Sequence, residues 1–256
     1  MAVPNSPIDK SPSELGARPA ATYSAPALDK CFNVIDLLAT APSGLTIKEI
    51  AAGLGVSMSE IFRIIMVMER RAWLQKGAGD RYRVTSKVLE LAFRATSAEE
   101  LTLIAAPLMR QLTHRITQSC HLVVRNGDRG LVIMRQESPG PTGFAVRVGT
   151  EILLENTCSG HVLLAFGETM THAPALIDAL QKVRARGYEL RPSARTSGVT
   201  DISCPVFGFD GHIKAALTVP FLKLIDGTQT VDKDEARHFL VETAGLISEG
   251  MGASRS

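Results

Sequence analysis

The sequence predicts an α+β protein with an N-terminal winged helix-turn-helix, a linker helix and a C-terminal domain built on an antiparallel sheet. Three observations carry that reading. Residues 26–71 hold three short segments with apolar residues three and four apart, the mark of amphipathic helices. Residues 73–84 are two short alternating stretches around Gly77-Ala78-Gly79-Asp80, as in a β-hairpin. From Cys120 the period changes, and apolar runs flank Asn126-Gly127-Asp128, a second hairpin signal that opens a mixture of strands and helices.

The first helix is expected over Pro26–Thr40, with Leu28, Phe32, Ile35 and Leu38 as its core stripe. A second begins at Thr46, which can cap it with Glu49 three residues on, and stops at Gly55. The third follows Ser57, burying Ile61, Ile64, Ile65 and Met68 and leaving Ser59, Glu60 and Arg63 to project. Residues 85–95 and 99–116 read as two more helical stretches, with Pro107 allowing a kink or break in the latter. Its residues Leu101, Ile104, Leu108 and Leu112 form a stripe that one monomer would leave exposed, which predicts at least a dimer. Beyond the 121–138 hairpin, strands are expected at Phe144–Val148, Ile202–Phe207 and Ala215–Pro220, and helices at Ser159–Phe166, His172–Gly187 and Asp232–Met251. The resulting domains are a tail over 1–25, the winged helix-turn-helix over 26–95, a linker helix over 96–118 and a sheet domain over 119–256.

Composition narrows the class. With 256 residues, 45% of them apolar, the chain can bury more than one core. No apolar run approaches the about 20 residues of a membrane helix, and the polar, proline-spotted start has no secretory core, so a cytoplasmic protein without a membrane partner is expected. Cys31, Cys120, Cys158 and Cys204 lie far apart and form no CxxC pair, against a disulfide framework or a zinc site. The net charge of +2 is unevenly spread: residues 26–95 hold ten Lys and Arg against seven Asp and Glu, residues 96–256 sixteen against seventeen. This small basic bias supports nucleic-acid binding without establishing it.

The string Thr46-x-x-Glu49-Ile50-Ala51-x-x-Leu54-Gly55-Val56-Ser57-x-x-x-Ile61-x-Arg63-x-Ile65 has helix-turn-helix logic: small Ala51 lets two helices approach, Gly55 turns the chain, and the isoleucines lock the second helix. The start of that helix should enter a major groove, where Arg63 can donate to guanine edges or phosphate and Ser59 can reach either. Glu60 either accepts from a cytosine amino group or simply complements the helix dipole. Lys76, Arg81 and Arg83 on the hairpin are candidate phosphate or minor-groove contacts. Thr46, Lys48 and Ser57, at the helix starts, complete the candidate DNA-binding set.

The chain from about Pro26 onward resembles the isocitrate lyase regulator (IclR) family of bacterial transcription factors. The stretches that carry the resemblance are ALDKCFNVIDLLA, GLTIKEIAAGLGVSMSEIFRIIMVMERRAWL, YRVTSKVLELA, LENTCSGHVLLA, RARGYEL and SGVTDISCPVFGFDGHIKAALTVP, in this order. The resemblance implies a GAF-like α/β effector-binding domain after the linker helix, assembly as a homodimer or tetramer, and binding to palindromic double-stranded operators. Met58 and Glu60 depart from the Ser/Thr-rich recognition-helix start usual in the family, which bears on the operator sequence. The implied effector pocket is lined by positions matching Thr157, Cys158, Ser159 and Gly160, by the segment around Val199 and Asp201, and by Thr218 and Pro220, with Arg191 at its edge.

The chemistry of these residues suits a small organic or aromatic acid. Thr157 and Ser159 carry hydroxyls, and free amides at the start of helix 159–166 make an anion site. Phe144 and Val146 can supply an apolar wall. Arg191 either pairs with the acid or stays exposed. Asp201 either meets a hydroxyl or amine of the ligand or serves as a capping or surface carboxylate. Two other functions compete. Cys158 and His161 are the minimum for a thiol enzyme, but no third orienting group is evident. A ligand-independent DNA binder would leave the C-terminal two thirds without a role. Neither a catalytic residue, a cofactor nor a metal is expected.

Overall fold

The structure, a computed structural model, describes residues 25–95, 98–167, 174–224 and 229–254. The expected tail lies, but for Ala25, outside these residues, as do His172 and Ala173 at the start of the expected helix His172–Gly187. The chain divides into two compact units, 1–95 and 96–256.

The first unit opens with α1 (Pro26–Ala39), α2 (Ile47–Leu54) and α3 (Met58–Arg70). Thr46 and Glu49 form a reciprocal capping box at the start of α2, which satisfies two backbone amides that a helix start leaves without partners. Gly55 ends α2 at φ 66°, a left-handed conformation that glycine adopts without a Cβ penalty. The wing is β1 (Leu74–Lys76) paired antiparallel with β2 (Tyr82–Val84), and Leu45 bridges to Tyr82 as a short third edge. Val34, Leu38, Ile50, Ala51, Ile61, Ile65, Met68, Leu74 and Tyr82 form one core. α4 (Lys87–Ala95) closes the unit.

One expected stripe is rotated. Ile35 and Leu38 meet the core as expected, but Leu28 and Phe32 are 53% and 54% exposed, and α1 turns Val34 and, in part, Cys31 inward in their place. Both faces satisfy a helical period, and the one that meets Ile50 and Ile61 wins.

The second unit contains α5 (Ala98–Ile116), β3 (Cys120–Asn126), β4 (Arg129–Gln136), β5 (Glu151–Leu153), α6 (Cys158–Phe166), α7 (Pro174–Arg186), β6 (Glu189–Pro192), β7 (Val199–Phe207), β8 (Ile213–Leu222) and α8 (Lys233–Gly250). The strands form one antiparallel sheet in the order β5-β4-β3-β8-β7-β6. Alternation sends Cys120, Leu122, Ile202, Cys204, Leu217 and Val219 to a core shared with α5 and α8. Val123, Val132 and Ala216 face the other way, against Val162, Leu163 and Val183 of α6 and α7. The sheet is thus covered on both faces.

Three expectations change here. α5 runs unbroken through Pro107, which is tolerated because Pro107 and Leu103, whose carbonyl loses its amide partner, lie on the exposed face. Its stripe is not spare: Leu101 and Leu112 are buried and Ile104 and Leu108 half-buried in the unit's own core, so the stripe gives no argument for a dimer. Phe144–Val148 is irregular rather than a strand, whereas β5 and β6, with their short and weakly alternating sequences, are strands supplied by neighbours in the sheet.

Candidate functional site

Two sites follow from these elements. On the first unit, Ser59, Phe62 and Arg63 are exposed at spacings of three and four along the N-terminal half of α3, with Met58 beside them. Phe62, half-exposed, is not among the residues that the sequence singles out on this helix. Ser57 holds the extended N-cap conformation, but its hydroxyl lies 3.3 Å from that of Ser59 rather than capping a backbone amide. Lys48 is exposed on α2.

Several charges that the sequence left to project are engaged within the unit. Glu60 is ion-paired with Lys30 of α1, and that ammonium holds its carboxyl below the usual carboxylate range. This is a strut between two helices, a third role beside base contact and dipole partner. Arg81 spans from the wing to α2: its guanidinium donates to both carboxylate oxygens of Glu49, at 3.0 and 3.2 Å, and to the Gly44 carbonyl at 2.8 Å. Arg83 donates to the Ser43 carbonyl at 3.2 Å, and Lys76 pairs with Asp80 at 2.8 Å. The Thr46 hydroxyl is spent on Glu49. Of the candidate set, Lys48, Ser57, Ser59, Arg63, Lys76 and Arg83 are exposed, as a groove or phosphate contact needs, and Lys76 and Arg83 keep that exposure beside their partners within the unit.

On the second unit, a cavity of about 50 Å³ is walled by the start of α6, by the inner faces of β3, β7 and β8, and by two irregular segments. Six expected residues line it: Phe144, Val146, Thr157, Ser159, Asp201 and Thr218. It is also lined by residues that the sequence did not single out, His121, Ile152, Ser193, Ala194 and Arg195. They come from places with no local motif, and only the sheet register brings His121 beside Thr218. The remaining five are not among the residues that line it. The Cys158 thiol donates to the carbonyls of Asp201 at 3.2 Å and Glu189 at 3.4 Å. A Cβ at Gly160 would meet the Leu154 backbone. Val199 and Pro220 sit in the β7–β8 ladder, and the Arg191 guanidinium lies 2.9 Å from Nε2 of His161.

Electrostatics sort these groups. Burial pushes the Asp201 carboxyl up, against the opposing pull of a hydrogen bond from Ser193 and the charge of Arg191. Burial pushes the Cys158 thiol far above its ordinary value, the reverse of what a nucleophile needs, and Nε2 of His161 either donates to the Glu155 carbonyl at 2.8 Å or accepts from Arg191 at 2.9 Å, according to its tautomer. The thiol and imidazole are therefore not arranged as a catalytic pair. At α6, the Thr157 hydroxyl takes the Gly160 amide at 3.2 Å, while the amides of Cys158 and Ser159 lie outside that cap. A larger cleft, about 650 Å³, is lined mostly by apolar and small residues such as Phe207, Phe209, Val241 and Gly245, and lacks this convergence of polar groups. Among the described residues no cluster could hold a metal ion, and no single helix is long and apolar enough to cross a membrane.

A winged helix-turn-helix with an exposed recognition helix, followed by an α/β unit on a curled antiparallel sheet, defines a DNA-binding regulator of transcription. The comparisons with known proteins give the family. Residues 27–77 match the IclR helix-turn-helix domain, and residues 93–169 and 166–248 match the bacterial transcriptional regulator IclR C-terminal domain. The chain belongs to the IclR family of transcriptional regulators. It is 29% identical over 250 residues to the HTH-type transcriptional regulator BhcR of Paracoccus denitrificans, covering 88% of this chain and 87% of the relative. It is 25% identical over 237 residues to KdgR of Escherichia coli, covering 85% and 86%. Among solved structures, an IclR homolog from Microbacterium hydrocarbonoxydans complexed with 4-hydroxybenzoate shares the fold with a TM-score of 0.71 at 21% identity, over 89% of this chain and 100% of that one.

Proposed function

We propose that this regulator is controlled by a small organic or aromatic acid, bound in the cavity with its carboxylate at the start of α6. The observation that carries the reading is the convergence of polar side chains from α6, β3, β7 and β8 on one small space with an apolar wall. The amides of Cys158 and Ser159 and the Ser159 hydroxyl are suited to an anion, and Phe144, Val146 and Ile152 to its carbon body. The 4-hydroxybenzoate held by the Microbacterium relative agrees with an acid of this kind. Two walls are irregular segments, which can adjust to a ligand larger than the few waters that about 50 Å³ admits.

The experiment is a calorimetric screen of organic and aromatic acids, with operator affinity measured in parallel. The best ligand should shift operator affinity by about 1 to 3 kcal/mol, and Ser159→Trp, which fills the cavity, should abolish both binding and shift. Equal binding by Ser159→Trp would remove the ligand from this cavity.

DNA reading rests on α3. Arg63 reaches base edges or phosphate, Ser59 joins it, and the exposed Phe62 suits a thymine methyl group. Lys48, Lys76 and Arg83 lie where phosphates would pass, and Arg81 acts through Glu49 by holding the wing. Palindromic operators and a cytoplasmic homodimer or tetramer complete the proposal. Val88, Leu89 and Leu91, exposed along α4, replace the α5 stripe as the apolar surface suited to a second copy. Arg63→Ala is expected to weaken operator binding by about 1 to 3 kcal/mol, with the mass by light scattering unchanged at two or four chains. An unaltered isotherm would remove Arg63 from the interface.

A further inference from the structure

Among the described residues, Nδ1 of His121 is the buried side-chain nitrogen or oxygen that has no hydrogen-bond partner. Such an atom costs stability, so its retention calls for a reason. His121 is 5% exposed and lines the cavity from β3. The groups that flank it are turned to other partners. Thr218, opposite on β8, shares its hydroxyl with Ser203 at 2.8 Å. Arg135, opposite on β4, is turned to Glu137 at 2.8 Å. Burial pushes the imidazole pKa down to about 4, so the ring is neutral at physiological pH and offers one donor and one acceptor.

We infer that His121 is a ligand-binding residue that pairs with a hydroxyl of the effector, so that the cavity selects hydroxy acids over the same acids without the hydroxyl. The inference rests on the reading of the cavity as the effector site. The carboxylate belongs at α6, where backbone amides and the helix dipole favour negative charge. A neutral imidazole in the sheet wall suits a neutral partner, and a hydroxyl, both donor and acceptor, pairs with Nδ1 in either tautomer. Phe144, Val146 and Ile152 provide for the carbon body between the two polar ends.

The test uses matched pairs on the full-length protein: glycolate against acetate, lactate against propionate, and 4-hydroxybenzoate against benzoate, by titration calorimetry. In at least one pair the hydroxy acid should bind about ten- to a hundredfold more tightly, since a site built for a hydroxyl penalises the analogue that lacks it. His121→Leu should bring that ratio to about one, and His121→Asn, which keeps a polar atom near the position of Nδ1, should retain part of it. In the parent protein the ring nitrogen signals of His121 should move with the hydroxy acid and not with its partner, a readout that stands if the leucine variant does not fold. A ratio unchanged in His121→Leu, or the absence of any hydroxyl preference, overturns the role of His121 while Ser159→Trp still marks the cavity. If no acid binds the parent, or Ser159→Trp binds as well as the parent, the effector site itself is misplaced and the inference falls with it.

Discussion

Gly160→Ala is expected to destabilise the C-terminal unit by about 3 kcal/mol or more. A Cβ at Gly160 would stand 2.2 Å from the Leu154 carbonyl oxygen and 2.5 Å from the Leu154 Cα, far inside van der Waals contact. The obstacle is backbone, so no side-chain rotation relieves it; either α6 lifts or the β5–α6 connection shifts. Since Thr157 and Ser159 lie in the same turn of α6, the displaced start should also lose affinity for an acid. Gly245→Ala on the exposed side of α8 is the control, because nothing lies within 4 Å of its Cβ and alanine favours the helix by about 0.5 to 1 kcal/mol. Equal unfolding midpoints for the two variants in denaturant would show that the close approach at Gly160 can relax.

Acidification is expected to cost the C-terminal unit about 3 kcal/mol through His121 alone. In the unfolded chain the imidazole takes up a proton as pH falls through its ordinary value of 6.5, while in the folded unit it stays neutral down to about 4. Between these values the unfolded state binds more protons, so stability falls with pH. The contribution is fully present above 6.5 and fully lost below about 4. Asp201, with its carboxyl pushed up, acts in the opposite sense near the acid end, so the measurement is the difference between the parent and His121→Leu. Denaturant midpoints at pH 7 and pH 4.5 should fall much further for the parent. The leucine variant should match or exceed the parent at pH 7, where it removes an unpaired buried nitrogen. Parallel pH profiles would mean that His121 is already protonated or paired.

Much of the DNA-reading unit was legible because its determinants are local. The capping box of Thr46 and Glu49, the left-handed Gly55 and the hairpin around Gly79 each involve residues within a few positions of one another. Backbone geometry and short-range hydrogen bonds settle such features before any packing partner is known. Six of the eleven expected effector residues also line the cavity, and those positions came from the family resemblance and from hydroxyl chemistry at a helix start.

What only the tertiary structure decided concerns partners distant in sequence. Period alone allows α1 to bury Leu28 and Phe32 or Cys31 and Val34 beside Ile35 and Leu38, and α2 and α3 choose the latter pair. It likewise marks α5 as amphipathic without saying that Leu240 and Ile247 of α8 help to cover it. Glu60 meets Lys30 thirty residues away, Arg81 meets Glu49 thirty-two away, and both thereby leave the set of projecting charges. His121 shares the pocket with Ser159 and Thr218 because β3 pairs with β8, a register set by which sheet face each strand buries. Local chemistry determines which elements form; burial against remote neighbours determines which of their faces and charges remain for function.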